Sequence, residues 1–355
     1  MALAKQALEF LKLVMESPSP SGFEQPVQHA VKAYMKEFAD DVRVDVHGNC
    51  MGVVNEGAPT RVMLAGHMDE IGLMITHIDG EGFLYFAAVG GVDDALLPGL
   101  RVEIHGDGGV VTGVIGKKPI HLMEPSERDK AFKVKDLWID IGARDQKDAE
   151  KAVAVGDVIT VKSSFEALRN DIALSRGFDD RIGAFVVVEA LRALAKRKPK
   201  VAVYAVTTVQ EELGLRGART SAYSIDPHAG IAVDVGFASD YPGAEKKQIG
   251  TVKLGDGPIL HRGANINPVL GELLVSTARK KRIPYQVQAE PRATGTDANA
   301  IQVSRGGVAA ALVSVPNRYM HTPVELVSLK DVENAIGLLA ETVWAMKAKM
   351  DFVPR

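Results

Sequence analysis

Residues 201–209, 230–235 and 309–315, with the shorter run 61–65, are dominated by Val, Ala, Leu and Ile. Strands this apolar must be covered on both faces, which restricts them to the interior of a layered α/β fold. Helical periodicity separates them, at 182–196, 268–280 and 297–304. A last helix is expected from the Ser328-Leu329-Lys330-Asp331 cap, with an acid at N3, to about Met350. The alternation predicts a mixed, largely parallel sheet flanked by helices. Upstream, Leu3, Ala7, Phe10, Leu11 and Val14 mark one helix and Val27, Val31, Tyr34 and Met35 another, separated by the breaker Ser17-Pro18-Ser19-Pro20-Ser21-Gly22. Strands are expected at 42–46 and 52–55, turning at His47-Gly48-Asn49.

From about Ile71 to Val161 the texture changes to glycine-rich, short alternating segments: 82–88, 101–105, 110–115, 138–141 and 158–161, with one short helix at 148–154. This region reads as a small β-barrel-like domain, residues 71–163, inserted into an α/β domain made of residues 1–70 and 164–355.

A net charge of −3, without an extended Lys/Arg run, argues against nucleic acid or an anionic membrane as the main partner. The segment from Met1 to Met15 is interrupted by Lys5, Glu9 and Lys12, so it reads as amphipathic rather than as a signal peptide. No stretch approaches the ~20 apolar residues of a membrane span. Cys50 is the only cysteine, which fits a reducing compartment, and a cytoplasmic protein is expected.

Chemistry enters through charged residues at strand ends. His-x-Asp recurs at His67-Met68-Asp69, His77-Ile78-Asp79 and His105-Gly106-Asp107, so the string alone decides nothing. The second and third lead into glycine-rich turns, where a hairpin role suffices. His67 instead follows an apolar strand. Acidic pairs divide in the same way. Asp40-Asp41 and Asp93-Asp94 read as solvated loops, whereas Glu211-Glu212 follows the run 201–209. Asp234 closes the next strand, His321 follows 309–315 through a short loop, and Asp179-Asp180-Arg181 precedes a long apolar helix. In open α/β sheets the carboxyl edge of the strands is where ligands bind.

Two histidines with several carboxylates suit Zn²⁺, Co²⁺ or Mn²⁺ better than Ca²⁺. Two dications bring four positive charges. Asp179, Glu212 and Asp234 offset three and leave room for a bridging hydroxide, which favours a dinuclear centre. Such a pair lowers the pKa of a bridging water and clamps a developing oxyanion. Glu211, adjacent to Glu212, is the candidate to take the water proton and hand it to a leaving amine. Asp69 is expected to accept a hydrogen bond from the non-ligating nitrogen of His67 and fix the ring. Dinuclear hydrolysis is therefore the expected chemistry. Hydrolysis of another bond, in an N-acyl amino acid or a glycoside, and a non-catalytic assembly paralogue stand as alternatives. No Gly-x-Ser-x-Gly elbow and no Gly-x-x-x-x-Gly-Lys-Ser/Thr loop occurs.

Taken together, Gly66-His67-Met68-Asp69-Glu70-Ile71-Gly72, Phe178-Asp179-Asp180-Arg181-Ile182-Gly183, Gln210-Glu211-Glu212-Leu213-Gly214, Val233-Asp234-Val235 and Arg318-Tyr319-Met320-His321-Thr322-Pro323 resemble the tetrahedral, self-compartmentalising metalloaminopeptidases. Gly263-Ala264-Asn265-Ile266-Asn267-Pro268 and Thr294-Gly295-Thr296-Asp297-Ala298-Asn299 extend the resemblance over nearly the whole chain. It implies a zinc-peptidase-like α/β domain interrupted by a β domain that mediates oligomerisation, commonly into dodecamers built from dimers. It further implies an aminopeptidase acting on short peptides with a free N-terminus through two metal ions, Zn or Co foremost and Mn as a further candidate. His67 and Asp234 would hold one ion and Glu212 and His321 the other. An aspartate of the Asp179-Asp180 pair would bridge them, with Asp179 favoured, and Glu211 would be the general base. The Gly295-Thr296-Asp297 loop fits either a pocket lining or a plain turn, and His121 in the β region is read as structural.

Overall fold

The computed structural model describes residues 3–128 and 133–355; Met1 and Ala2 of the expected first helix, and residues 129–132 of the expected insertion, lie outside the described residues. The chain opens with helices Lys5–Glu16 and Gln25–Met35. A hairpin of β1 (Asp41–Val44) and β2 (Cys50–Val54) and the strand β3 (Arg61–His67) follow. The hairpin turn forms because one Asp45 oxygen accepts the amides of His47, Gly48 and Asn49.

The chain then leaves the α/β sheet. Strands β4 (Gly72–Ile78), β5 (Leu84–Val89), β6 (Arg101–Gly106), β7 (Gly109–Gly116), β8 (Trp138–Asp140) and β9 (Val158–Val161) close into an antiparallel barrel in the order β4-β5-β8-β7-β6-β9. Leu73, Ile75, Leu84, Phe86, Val102, Ile104, Ile139 and Ile159 fill it. The decoys His77 and His105 both lie on barrel strands, His77 in β4 and His105 in β6, where its Nε2 meets Thr160. His121 sits exposed on a short turn between β7 and β8. The short helix expected at 148–154 is instead a single turn, Gln146–Ala149, capped by Asp145.

Returning strands are β10 (Glu166–Ala167), β11 (Ile172–Ser175), β12 (Ala202–Thr208), β13 (Ala229–Phe237), β14 (Ile259–Gly263), β15 (Gln286–Glu290), β16 (Ala309–Arg318) and β17 (Glu325–Ser328). Among the described residues they build one sheet with β1 to β3, in the order β1-β2-β12-β3-β13-β16-β17-β11-β10, with β14 and β15 branching from β16. The centre, β12-β3-β13-β16, is parallel; most of the outer pairings are antiparallel. The fold is thus mixed α/β, flanked by helices, with a small closed barrel.

Both faces of the central strands are buried, and alternate residues serve different cores. Val62 and Leu64 pack under the helices Phe178–Lys196 and Leu329–Ala345, while Met63 and Ala65 pack under Arg216–Ile225 and Asp297–Gln302. Regular α geometry in the long helix begins after Asp180, since Asp179 and Asp180 have φ/ψ of −78/108 and −117/34, in line with the start expected at 182. The last helix ends at Ala345, short of Met350. Its expected cap is used differently: Ser328 makes no capping bond, and buried Asp331 accepts the amides of Gly255 and Gly257 at 2.7 and 2.8 Å. Helix Arg216–Ile225 was not expected from the sequence, because it starts within the breaker Gly214-Leu215-Arg216-Gly217 and its outer face is polar.

Sheet and long helix meet with almost no space between backbones. A Cβ at Gly66 would lie 2.4 Å from the Gly183 carbonyl carbon and 2.6 Å from the Ala184 nitrogen. Gly66→Ala is therefore expected to lower stability by about 3 kcal/mol through forced separation of β3 from this helix. Denaturant unfolding checks it; an unchanged midpoint would refute the close-packing argument.

Candidate metal centre

Because β12, β3, β13 and β16 run in parallel, their carboxyl ends share one edge of the sheet. His67 is the last residue of β3, and Asp234 the sixth of β13. Glu211 and Glu212 follow β12, and His321 lies between β16 and β17. Strand alternation carries His67 and Asp234 onto the face occupied by Ala65 and Ala232. Asp179 reaches the edge from the irregular start of the long helix. Gln210 and His321 hold left-handed φ values of 53° and 60°, a conformation that costs non-glycine residues energy and concentrates at functional loops.

The predicted residues converge. Asp179 Oδ1 lies 3.3 Å from His67 Nε2 and its Oδ2 lies 3.2 Å from His321 Nε2. Glu212 Oε1 is 3.4 Å from His321 Nε2, and Glu211 Oε2 is 3.7 Å from His67 Nε2. Ligand atoms of His67, Glu211 and Asp234 all lie within 4.8 Å of one another, as do those of His67, Asp179 and Glu212. Asp180 is engaged by the backbone instead; its carboxylate accepts the amides of His67 at 3.2 Å and Gly183 at 3.1 Å.

Asp69 does more than was expected of it. Its Oδ1 accepts the Glu211 amide at 3.0 Å, and its Oδ2 accepts the Glu212 amide at 3.2 Å and the Ser21 hydroxyl at 2.6 Å. His67 Nδ1 lies 3.0 Å from the Asp69 backbone carbonyl and 3.3 Å from Oδ1. One buried carboxylate thus ties the end of β3 to the loop after β12.

Two acids were missed. Glu325, fully buried, accepts the Asp179 amide at 2.9 Å and the His321 amide at 3.0 Å. Its only signal was its place four residues after His321, at the start of a strand too short to read. Asp297 lies in the Gly295-Thr296-Asp297 loop, which the sequence left open between a pocket lining and a plain turn. It is buried, accepts the Thr208 hydroxyl at 2.5 Å, and leaves Oδ1 without a partner.

The electrostatics are those of a pocket with excess negative charge. Burial pushes Glu211 up to about 10, with Asp234, Asp297 and Asp179 adding to the rise against the pull of His67. Burial and the Asp179 charge raise Asp234 well above the carboxylate range, and burial takes Asp297 to about 6. Burial opposes charging His67, yet Glu211, Asp179 and Asp69 outweigh it and raise the imidazole well above its usual range. Hydrogen bonds to Asp179 and Glu212 carry His321 up to about 11. Asp179 is lowered instead, because bonds from His321 and His67 outweigh its burial. Glu212 Oε1 is buried, with His321 Nε2 at 3.4 Å as its polar neighbour. Imidazole and carboxylate donors at this spacing fit divalent cations of intermediate hardness.

An α/β sheet whose carboxyl edge gathers two histidines and carboxylates around one shared aspartate defines the dinuclear metallohydrolase class. Residues 48–338 match the profile of the M42 glutamyl aminopeptidase family. The chain is 39% identical to lysyl aminopeptidase from Pyrococcus furiosus, over 98% of this chain and 99% of the relative. Its fold superposes with a TM-score of 0.93 on the TET aminopeptidase from a marine sediment archaeon, Thaumarchaeota archaeon SCGC AB-539-E09, 38% identical, covering 97% and 98% of the two chains. The Pyrococcus horikoshii TET1 peptidase, which can assemble into a tetrahedron or a large octahedral shell, gives 0.85 at 35% identity, covering 96% and 100%. This chain belongs to the M42 family, and it is a metal-dependent aminopeptidase. Among the described residues no helix is long and apolar enough to cross a membrane.

Groups whose pKa is raised hold protons at neutral pH while the centre is metal-free, and a dication must displace them. Metal loading is therefore expected to release protons, and affinity to fall as pH falls from 8 towards 6. Calorimetric titration with Zn²⁺ in buffers of different ionisation enthalpy measures this; a binding enthalpy independent of buffer would contradict it.

Proposed function

We propose that His67 and Asp234 hold one metal ion, Glu212 and His321 the other, and Asp179 both. The observation that carries this reading is the Asp179 carboxylate, which presents one oxygen to each imidazole at 3.3 and 3.2 Å. Asp180, occupied by two backbone amides, is the weaker bridging candidate. Zn²⁺ or Co²⁺ suits the donors best, and Mn²⁺ is compatible with them. Two dications bound there supply a water of lowered pKa and positive charge beside the scissile carbonyl oxygen.

The chain's own residues do the rest. Glu211, held by its amide on Asp69, takes the water proton and delivers it to the leaving amine. Asp69 and Glu325 position the reacting residues through their backbone amides. Substrates are short peptides with a free N-terminus, which a closed shell like those of the TET relatives would admit while excluding folded proteins. Residues 71–163 form the assembly domain on the discontinuous catalytic domain, 1–70 and 164–355, in a dodecamer built from dimers and working in the cytoplasm.

Glu211→Gln keeps the shape of the side chain and removes its basicity. It is expected to lower kcat on aminoacyl chromogenic substrates by roughly 10²–10⁴-fold while both metals stay bound. Near-normal rates with full metal content would remove Glu211 from the role of base.

A further inference from the structure

Strand β5 leaves the barrel at Val89, and the next two residues, Gly90 and Gly91, run over the carboxyl edge of the large sheet. The Gly91 carbonyl oxygen lies 2.9 Å from His321 Nδ1. A carbonyl can only accept, so this contact requires the proton on Nδ1. In the neutral imidazole that a metal ligand must be, Nε2, which faces Asp179 and Glu212, is then the nitrogen with the lone pair. The approach is also tight. A Cβ at Gly91 would sit 3.1 Å from His321 Nδ1 and 3.2 Å from Cε1. One at Gly90, where φ is +79°, would sit 2.8 Å from Ile71 Cγ2 and 3.3 Å from Glu212 Cβ. Both residues assigned to one metal position therefore have the same barrel segment against them, close enough that an added Cβ would force either residue to give by a few tenths of an ångström.

The other histidine is held differently. His67 Nδ1 faces the carbonyl and carboxylate of Asp69, both from the end of its own strand. One metal position is braced within the large sheet, and the other is braced across to the barrel.

We infer that Gly91, assisted by Gly90, is a positioning residue for the metal site of Glu212 and His321. The barrel fixes the tautomer and orientation of His321, and so sets the affinity of one ion of the pair. This rests on the two-metal assignment proposed above. A donor that orients a metal-binding histidine is typically worth 10–100-fold in affinity.

The test uses the full chain, stripped with a chelator and titrated with Co²⁺, reading bound metal by mass spectrometry and ligand geometry by visible absorption. Wild type is expected to take two equivalents. Gly91→Ala is expected to take the first as wild type does and the second about 10–100-fold more weakly. Gly108→Ala lies on the same barrel with no atom within 4 Å of the added Cβ, and should match wild type. Equal binding of both equivalents by Gly91→Ala and wild type overturns the inference. A wild type that takes fewer than two equivalents overturns the two-metal assignment instead. Hydrogen exchange on wild type covers the case in which Gly91→Ala does not fold. The segment 84–93 should gain protection with the second equivalent and not with the first. No gain at either equivalent, with the segment around His321 protected, also overturns the inference.

Discussion

Carboxylates packed together out of water repel one another, and a fold tolerates them only where positive charge compensates. That constraint governs the carboxyl edge of this sheet. Glu211, Asp234, Asp180 and Asp297 are all raised by burial, and His67 and His321 are raised by their acidic neighbours. Elsewhere in the interior, a buried acid can be given protein cations instead. Glu70 is paired with Arg176 and Arg181, and its pKa falls below the usual range despite complete burial. At the metal centre no guanidinium takes that part among the described ion pairs, so divalent cations are the natural counter-charge.

Around this charge the structure is built to hold position rather than to add contacts. Asp69 gathers the amides of Glu211 and Glu212, and Glu325 gathers those of Asp179 and His321. Each carboxylate joins two separate chain segments, so a shift of one segment is transmitted to the other. Such supporting groups matter because a ligand misplaced by a fraction of an ångström loses much of its hold on a metal. Gly66 against Gly183 and Gly91 against His321 serve the same end by letting backbone approach where a side chain would intervene.

Much of this was legible beforehand, for identifiable reasons. Parallel strands buried on both faces need unbroken apolar runs, so β12, β13 and β16 stood out, and the charged residue ending each run stood out against them. The barrel showed through its glycine-rich alternation. Features carried by short strands and polar helices did not show. Glu325 opens a four-residue strand, and helix Arg216–Ile225 begins inside what reads as a breaker. Asp331 was assigned to a helix start by local pattern, yet tertiary contact with Gly255 and Gly257 claims it.

The sequence by itself determined the class of fold, the inserted barrel and the residue types available at the sheet edge, because hydrophobic period and strand-end chemistry are local properties of the chain. Tertiary structure alone decided the partners. It turned Asp179 rather than Asp180 towards both histidines, made Asp69 a clamp on two glutamate amides, and brought Gly91 onto His321 across 230 positions. Those outcomes depend on distances between segments far apart in the chain, set by how sheet, long helix and barrel pack against one another.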